Sequence, residues 1–286
     1  MTSAFSLPPL LRILKNVSLI TVSGLIAGNS SLSAQITDPE DPSLQRPAKD
    51  DRASSQLIEN YLNTTGGKQA HTNTKIVLAT GKKTQAGDIK KFRLIEMIDG
   101  RRHITYTWTV RGRPHEEIFS FDGINTWKQK TLPKKKSPVP FKGSEATYFS
   151  NQRWLIHPFT VPLRAKYTFK YDNNARVSGR PSHLVVGFGP NDERTWFYFD
   201  KVNYLITRWG GIGKIGGADE YLDFQATKFE YYGSILLPKE IDLIAEKSKY
   251  GTIHFDKIEI NPNIDPNIFL IPPDTSPILK QVPIQR

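Results

Sequence analysis

From Thr74 onward the chain alternates apolar and polar positions with a period of two, the mark of half-buried strands. The stretch His103–Arg111 shows it most clearly. Ile104, Tyr106, Trp108 and Val110 fall on one face, and His103, Thr105, Thr107 and Thr109 on the other. One packed face and one wet face is the pattern of an antiparallel sheet. Lys75–Lys83 and Ile89–Ile98 read as the two preceding strands, and Asp99-Gly100 as a tight turn. Glu117–Phe121 and Asn125–Lys130 follow, separated by Asp122-Gly123. Beyond a Lys/Pro-rich loop over 131–143, strands are predicted at Lys166–Tyr171, His183–Phe188, Thr195–Phe199, Tyr204–Trp209, Tyr221–Tyr232, Ile241–Ala245 and Thr252–Ile260. Helical spacing occurs twice. Leu57, Ile58, Tyr61 and Leu62 share one face, with Ser54 or Ser55 as cap and Gly66-Gly67 as stop. Over 144–156, Ala146, Phe149, Arg153 and Trp154 lie close to helical spacing before Pro158 and Pro162. The expected fold is mainly β: one large, curved antiparallel sheet of about eleven strands with one or two covering helices. A sheet of this size must curl or split, so its concave face is lined by alternate residues of many strands.

The first fifty residues have neither period. Arg12 and Lys15 precede an apolar run from Val17 to Ala27, and small residues lead to Ala34. That is the layout of a secretory signal over residues 1–34, with cleavage after Ala34. The run is short of the about 20 residues of a spanning helix, although a retained anchor is the alternative. Residues 35–50, with Asp38-Pro39, Asp41-Pro42 and Arg46-Pro47, read as a disordered linker. The folded domain is placed at 51–272 and an extended, proline-containing tail at 273–286. The product is expected to be exported and soluble, and periplasmic in a Gram-negative cell.

Composition narrows the chemistry. The chain has 286 residues and no cysteine, which excludes disulfides, thiolate metal sites and a cysteine nucleophile. Its formal charge is +11, and much of the excess sits in the first half, from Lys82-Lys83 and Lys90-Lys91 to Lys134-Lys135-Lys136. Aromatics interleave with these bases, as in single-strand nucleic-acid binders. An export signal argues against that partner and favours anionic lipid headgroups or a polyanionic envelope polymer. The alternative is a solvated surface with lysines that block edge pairing.

Catalytic patterns are weak. Gly211-Ile212-Gly213-Lys214-Ile215-Gly216 matches the dinucleotide fingerprint by letter, but no helix is predicted after it, so it reads as a hairpin loop. None of the six histidines forms a HExxH pair, and no metal site is expected. The adjacent acids Glu116-Glu117, Asp192-Glu193 and Asp219-Glu220 point to opposite strand faces. No catalytic residue and no cofactor is assigned; residues that converge only in the fold stay open.

Several features in order resemble the bacterial outer-membrane lipoprotein-sorting proteins, the LolA/LolB-like superfamily. They are the helix ending in Gly66-Gly67, the segment Phe119-Ser120-Phe121-Asp122-Gly123 with Trp127, and Trp196-Phe197-Tyr198-Phe199-Asp200 with Leu205-Ile206-Thr207-Arg208. Leu237-Pro238-Lys239-Glu240-Ile241, Ile258-Glu259-Ile260-Asn261, Ile264-Asp265 and Phe269 complete the series. The resemblance implies a half-open β-barrel closed by helices over an apolar cavity that holds acyl chains of lipids or lipoproteins, without enzymatic activity. It also implies an envelope transport partner. Candidate cavity residues are Tyr106, Trp108, Phe119, Phe121, Trp127 and Trp196, with Trp154 on the covering helix. Lys134, Lys135 and Lys136 are candidates for contact with headgroups or a partner. A monomer is expected, and the alternative function is binding of an anionic envelope polymer through the basic first half.

Overall fold

Two antiparallel meanders join into one thirteen-stranded sheet. The computed structural model describes residues 45–273, apart from 152, 191–192, 216–217 and 246–247. The expected signal segment, the linker up to 44 and the tail from 274 lie outside the described residues. The chain opens with α1 (Arg52–Thr64) and α2 (Lys68–Asn73). The first meander follows: β1 (Ile76–Gln85), β2 (Asp88–Met97), β3 (Arg102–Val110), β4 (Arg113–Phe121), β5 (Thr126–Leu132) and β6 (Val139–Pro140). A crossover then contains α3 (Ser144–Asn151) and a 3₁₀ turn at Leu163–Lys166. The second meander comprises β7 (Thr168–Val177), β8 (Arg180–Phe188), β9 (Arg194–Asp200), β10 (Ile206–Ile215), β11 (Ala218–Tyr232), β12 (Ile235–Ala245) and β13 (Ser248–Ile260), and a 3₁₀ turn at Pro266–Phe269 closes the described chain.

The strand order is β6-β5-β4-β3-β2-β1-β13-β12-β11-β10-β9-β8-β7, so β1 and β13 splice the meanders. The sheet does not close, and both edges are blunted. β6 is two residues long and ends in proline, which limits further pairing. On β7 the Asp50 carboxylate accepts the N–H of Phe169 at 2.8 Å and the Asp51 carboxylate that of Tyr171 at 2.5 Å. Asp51 also caps α1 by accepting the Ser54 N–H at 2.7 Å. The cap is therefore Asp51 rather than Ser54 or Ser55. The serine hydroxyl of Ser54 instead donates to the Phe169 carbonyl at 3.0 Å.

The strand that the sequence does not show is β6, too short to have a period. β4 also begins at Arg113, through the Arg113-Pro114 segment that reads as a break. α1 buries Leu57, Ile58, Tyr61 and Leu62, the face its spacing predicts. Gly66 turns the chain after it at φ +124°, where a Cβ would collide with the Ser234 carbonyl. That close approach lets the Leu236 N–H reach the Thr65 carbonyl at 3.0 Å and ties the helix end to β12.

Because β5–β6 and β7 lie at opposite edges, the chain must cross the whole sheet between them. It crosses the concave face. Trp154, Leu155, Ile156, Phe159 and Leu163 of this crossover are buried in the main core. Trp154 meets Phe92 of β2 and Phe255 of β13. His157 meets Trp209 of β10, and Phe159 meets Phe197 of β9 and Phe169 of β7. One segment thus touches both meanders, which only a strongly curved sheet permits.

Candidate functional site

Register sorts the side chains by face. Leu94 pairs with Ala79 and Ile104, and Ile104 with Phe119. Counting by twos places Tyr106, Trp108, Phe119 and Phe121 on this same concave face. Four of the candidate residues therefore converge. Tyr106 and Phe119 stand edge to face at 6.2 Å, and Phe119 reaches Phe149 of α3 and Phe141. Tyr106, Phe119, Tyr148 and Phe149 are half-buried and rim the core rather than fill it.

Two candidates lie elsewhere. Trp127 pairs with Ser120 and projects from the convex face. There its indole N–H donates to the Phe269 carbonyl at 2.7 Å, under the 3₁₀ turn that straps this side. Trp196 is also convex, packed with Leu184, Tyr198 and Val177, and donates to the Asp223 carboxylate at 2.6 Å. Arg208 completes that cluster by donating to Asp223 at 2.6 Å. The Trp-x-Tyr alternation of β9 puts Phe197 and Phe199 inward, so the aromatic with the largest ring is the wrong one to choose. Trp154 does face the concave side, yet α3 ends at Asn151 and Trp154 belongs to the irregular crossover.

The crossover is held by one buried carboxylate. Glu96 of β2, fully buried, accepts the backbone N–H groups of Trp154, Leu155 and Ile156 at 2.9–3.0 Å. Arg102 lies 3.3 Å from the same carboxylate, and its guanidinium covers the rings of Phe149 and Trp154. On the other side the Trp209 indole donates to the Arg153 carbonyl at 2.7 Å, and the Arg153 guanidinium donates to the Gly100 and Ser150 carbonyls. Between crossover, α1 and α2 remains a cavity of about 20 Å³, lined by Tyr61, His71, His157 and Phe159 among others. That is room for about one water, against the roughly 300–1,000 Å³ typical of ligand sites. The chain's own crossover occupies the middle of the face expected to be roomy. His157 is buried there with its Nδ1 unpartnered, and burial holds its pKa down to about 3. The same cause holds His71 at about 4.

The opposite end of the concave face is open and basic. Lys83 and Lys90 are directly opposed on β1 and β2, and both point inward in the alternation with Gly81 and Phe92. Lys90 lies 4.1 Å from the Trp108 ring centroid and Lys83 5.9 Å from that of Tyr106. His115 stacks on the far strand against Trp108 at 5.3 Å. Lys134, Lys135 and Lys136 are exposed in the β5–β6 loop, at the same rim as the β1–β2 and β3–β4 turns. In the sequence Lys83 and Lys90 read only as part of the basic excess, and Glu96 does not stand out. Counting back from Phe92 and Leu94 by twos would have placed Lys90 inward.

The fingerprint-like glycines lie in a hairpin rather than at a helix N-terminus. Gly211–Ile215 belong to β10 and pair with β11, so they are strand rather than loop. A serine–histidine contact does occur, Ser120 Oγ to His103 Nδ1 at 3.3 Å. Both are buried on the convex side, where the Ser120 hydroxyl also donates to the Phe269 carbonyl at 3.1 Å. This makes the pair a fastening for the strap. Among the described residues no cluster of three His, Asp or Glu is placed to hold a metal, and no helix is long and apolar enough to cross a membrane.

No family model and no curated protein matches the chain. Solved structures do. A domain described as outer membrane lipoprotein-sorting, from Vibrio parahaemolyticus, aligns at TM-score 0.51 and 10% identity, over 76% of this chain and 95% of its own. A DUF1329 family protein from Desulfovibrio piger aligns at TM-score 0.50 and 10% identity, over 77% of this chain and 97% of its own. A LolA superfamily protein from Nitrosomonas europaea aligns at TM-score 0.49 and 10% identity, over 75% and 96%. With the first two the likeness is one of fold: an open antiparallel sheet with few helices.

Proposed function

We propose that this protein is an exported, non-enzymatic lipid- or lipoprotein-binding protein of the bacterial envelope that holds acyl chains against its concave face. The observation that carries the reading is the half-buried aromatic wall that Tyr106 and Phe119 of the sheet form with Tyr148 and Phe149 of α3, beside the apolar core. Acyl chains gain about 0.8 kcal/mol per CH₂ removed from water, and such a wall, continued by displacement of crossover side chains, provides the apolar surface. The fold shared with a lipoprotein-sorting domain fits this use. The charge, apolar run and small residues over 1–34 fit export. Trp127 and Trp196, being convex, play no part in acyl contact. Lys134–Lys136 meet headgroups or a transport partner at the rim.

The test is native mass spectrometry of the full chain purified gently from a bacterial periplasm, followed by lipid extraction. Bound phospholipid or acylated peptide in stoichiometric amount is expected. A bare protein mass that takes up no added lipid overturns the reading. A second reading, binding of an anionic envelope polymer, is favoured by the exposed lysines on the rim. Salt separates the two: polymer binding weakens steeply as salt rises, whereas acyl burial does not.

A further inference from the structure

Lys83 and Lys90 are hard to explain as ordinary surface lysines. They sit on β1 and β2, in the middle of the thirteen-stranded sheet, so they protect no edge. They face each other across the strand pair, a placement that destabilises a sheet when the charges are alike. They point into the concave side, and among the described residues no carboxylate lies within ion-pair distance of either. Three acids share this face of β2–β5: Asp88 is exposed at the β1–β2 turn and makes no ion pair with either lysine, and the other two have other partners. Glu96 holds the crossover amides and Arg102, and Glu117 faces Lys130 at 3.8 Å. Crowding by the walls, with Lys90 and Arg102 nearby, draws the Lys83 ammonium down to about 8. The rings of Tyr106 and Trp108 form the floor beneath both ammonium groups. Opposed cations kept unpaired at the mouth of an apolar face have the form of a site waiting for an anion.

We infer that Lys83 and Lys90, over Tyr106 and Trp108, form a cradle for the anionic phosphate headgroup of an acylated lipid whose chains lie along Phe119 and Phe149. This deepens the proposed function and rests on it. The two ammonium groups supply charge-assisted hydrogen bonds to phosphate oxygens, and the aromatic floor continues directly into the acyl wall.

The experiment offers the full chain an equal mixture of dipalmitoyl phosphatidylglycerol and dipalmitoylglycerol in detergent micelles and reads the bound species by native mass spectrometry. The wild type is expected to favour the phosphatidylglycerol at least about tenfold, equivalent to about 1.4 kcal/mol. The Lys83→Gln/Lys90→Gln variant, its fold checked by circular dichroism, should take both lipids equally and keep its uptake of dipalmitoylglycerol. Equal uptake by the wild type, or a preference that survives in the variant, overturns the cradle and leaves acyl binding standing. If neither lipid is taken up, the proposed function fails, and inorganic phosphate then decides the cradle alone. A phosphate-induced change in Trp108 fluorescence, absent from the double variant and from Trp108→Phe, keeps it as a site for a soluble anion. No change in the wild type overturns it.

Discussion

The two halves of the concave face are built from the same alternation of side chains, yet one is sealed and the other is open. Along β1, β2 and β9–β13 the crossover lies in the groove, and Glu96, Trp154 and Phe159 fix it there by hydrogen bonds and ring contacts. Toward the β1–β2 and β3–β4 turns Lys83, Lys90 and Trp108 are only half-buried, and the same face ends in opposed cations. The difference shows that an apolar strand face specifies only that something must cover it. The sealed half is covered by the chain itself and contributes stability. The other half bears opposed like charges that stability alone would remove.

The contrast can be broken most forcefully at Glu96. Glu96→Ala leaves three buried amides without their acceptor and removes the carboxylate of the Arg102 ion pair, and a loss of about 3–5 kcal/mol is expected in denaturant unfolding. Binding of a hydrophobic dye should rise as the crossover loosens. A loss below about 1 kcal/mol would mean that the crossover is not anchored there.

Tryptophan substitutions sharpen the same comparison. Trp154→Ala, in the sealed half, is expected to cost about 3–5 kcal/mol, whereas Trp108→Ala in the open half should cost less than about 1 kcal/mol. Lipid uptake should respond in the opposite sense. Trp108→Asp, with folding retained, should abolish it, and equal uptake would remove Trp108 from the site.

Acid probes the sealed half through His157 and His71, and the convex strap through His103. His157 is held near 3 and His71 and His103 near 4, in each case chiefly by burial that disfavours the imidazolium. Their folded pKa values lie below the ordinary value of 6.5, so the unfolded chain takes up these protons first as pH falls. Stability is therefore full above about pH 6.5 and declines toward pH 4, by up to about 1.4 kcal/mol per pH unit for each histidine. Glu193, raised to about 7 by burial, works in the opposite direction. The clean measurement is thus the difference between wild type and His157→Gln, whose acid limb should be flatter. Parallel limbs would show that His157 stays accessible to protons in the folded state.

The smallest expected effect lies in the open half. Lys83→Met removes a crowded, like-charged ammonium and should raise the melting midpoint by about 2–4 °C, the shift that about 1 kcal/mol produces in a domain of this size. A lowered midpoint would show that the lysine has a stabilising partner.

Much of this molecule follows from local pattern. The helical face of Leu57, Ile58, Tyr61 and Leu62 is a property of a short segment and is seen in the structure, whereas His103–Arg111 forms its strand as β3 but grades from buried to exposed along its length, with His103 buried and Val110 exposed. Asp99-Gly100 and Asp122-Gly123 turn the chain where turn chemistry predicts. The open antiparallel sheet follows from those segments in series, because neighbouring strands joined by short turns can only meander. Which face a tryptophan occupies was decided elsewhere. Trp127 and Trp196 are as apolar as Trp108, and their indole N–H groups found a carbonyl of the distant strap and an aspartate two strands away. The crossover was equally hidden, because its route is set by the position of β7 at the far edge, a fact of strand order across the whole sheet. Glu96 reads in isolation as one more charged residue of a strand. Only the curvature that brings Trp154, Leu155 and Ile156 within hydrogen-bonding distance makes it the residue that closes half of the groove, because a buried carboxyl is tolerated in a core only where hydrogen-bond donors converge on it.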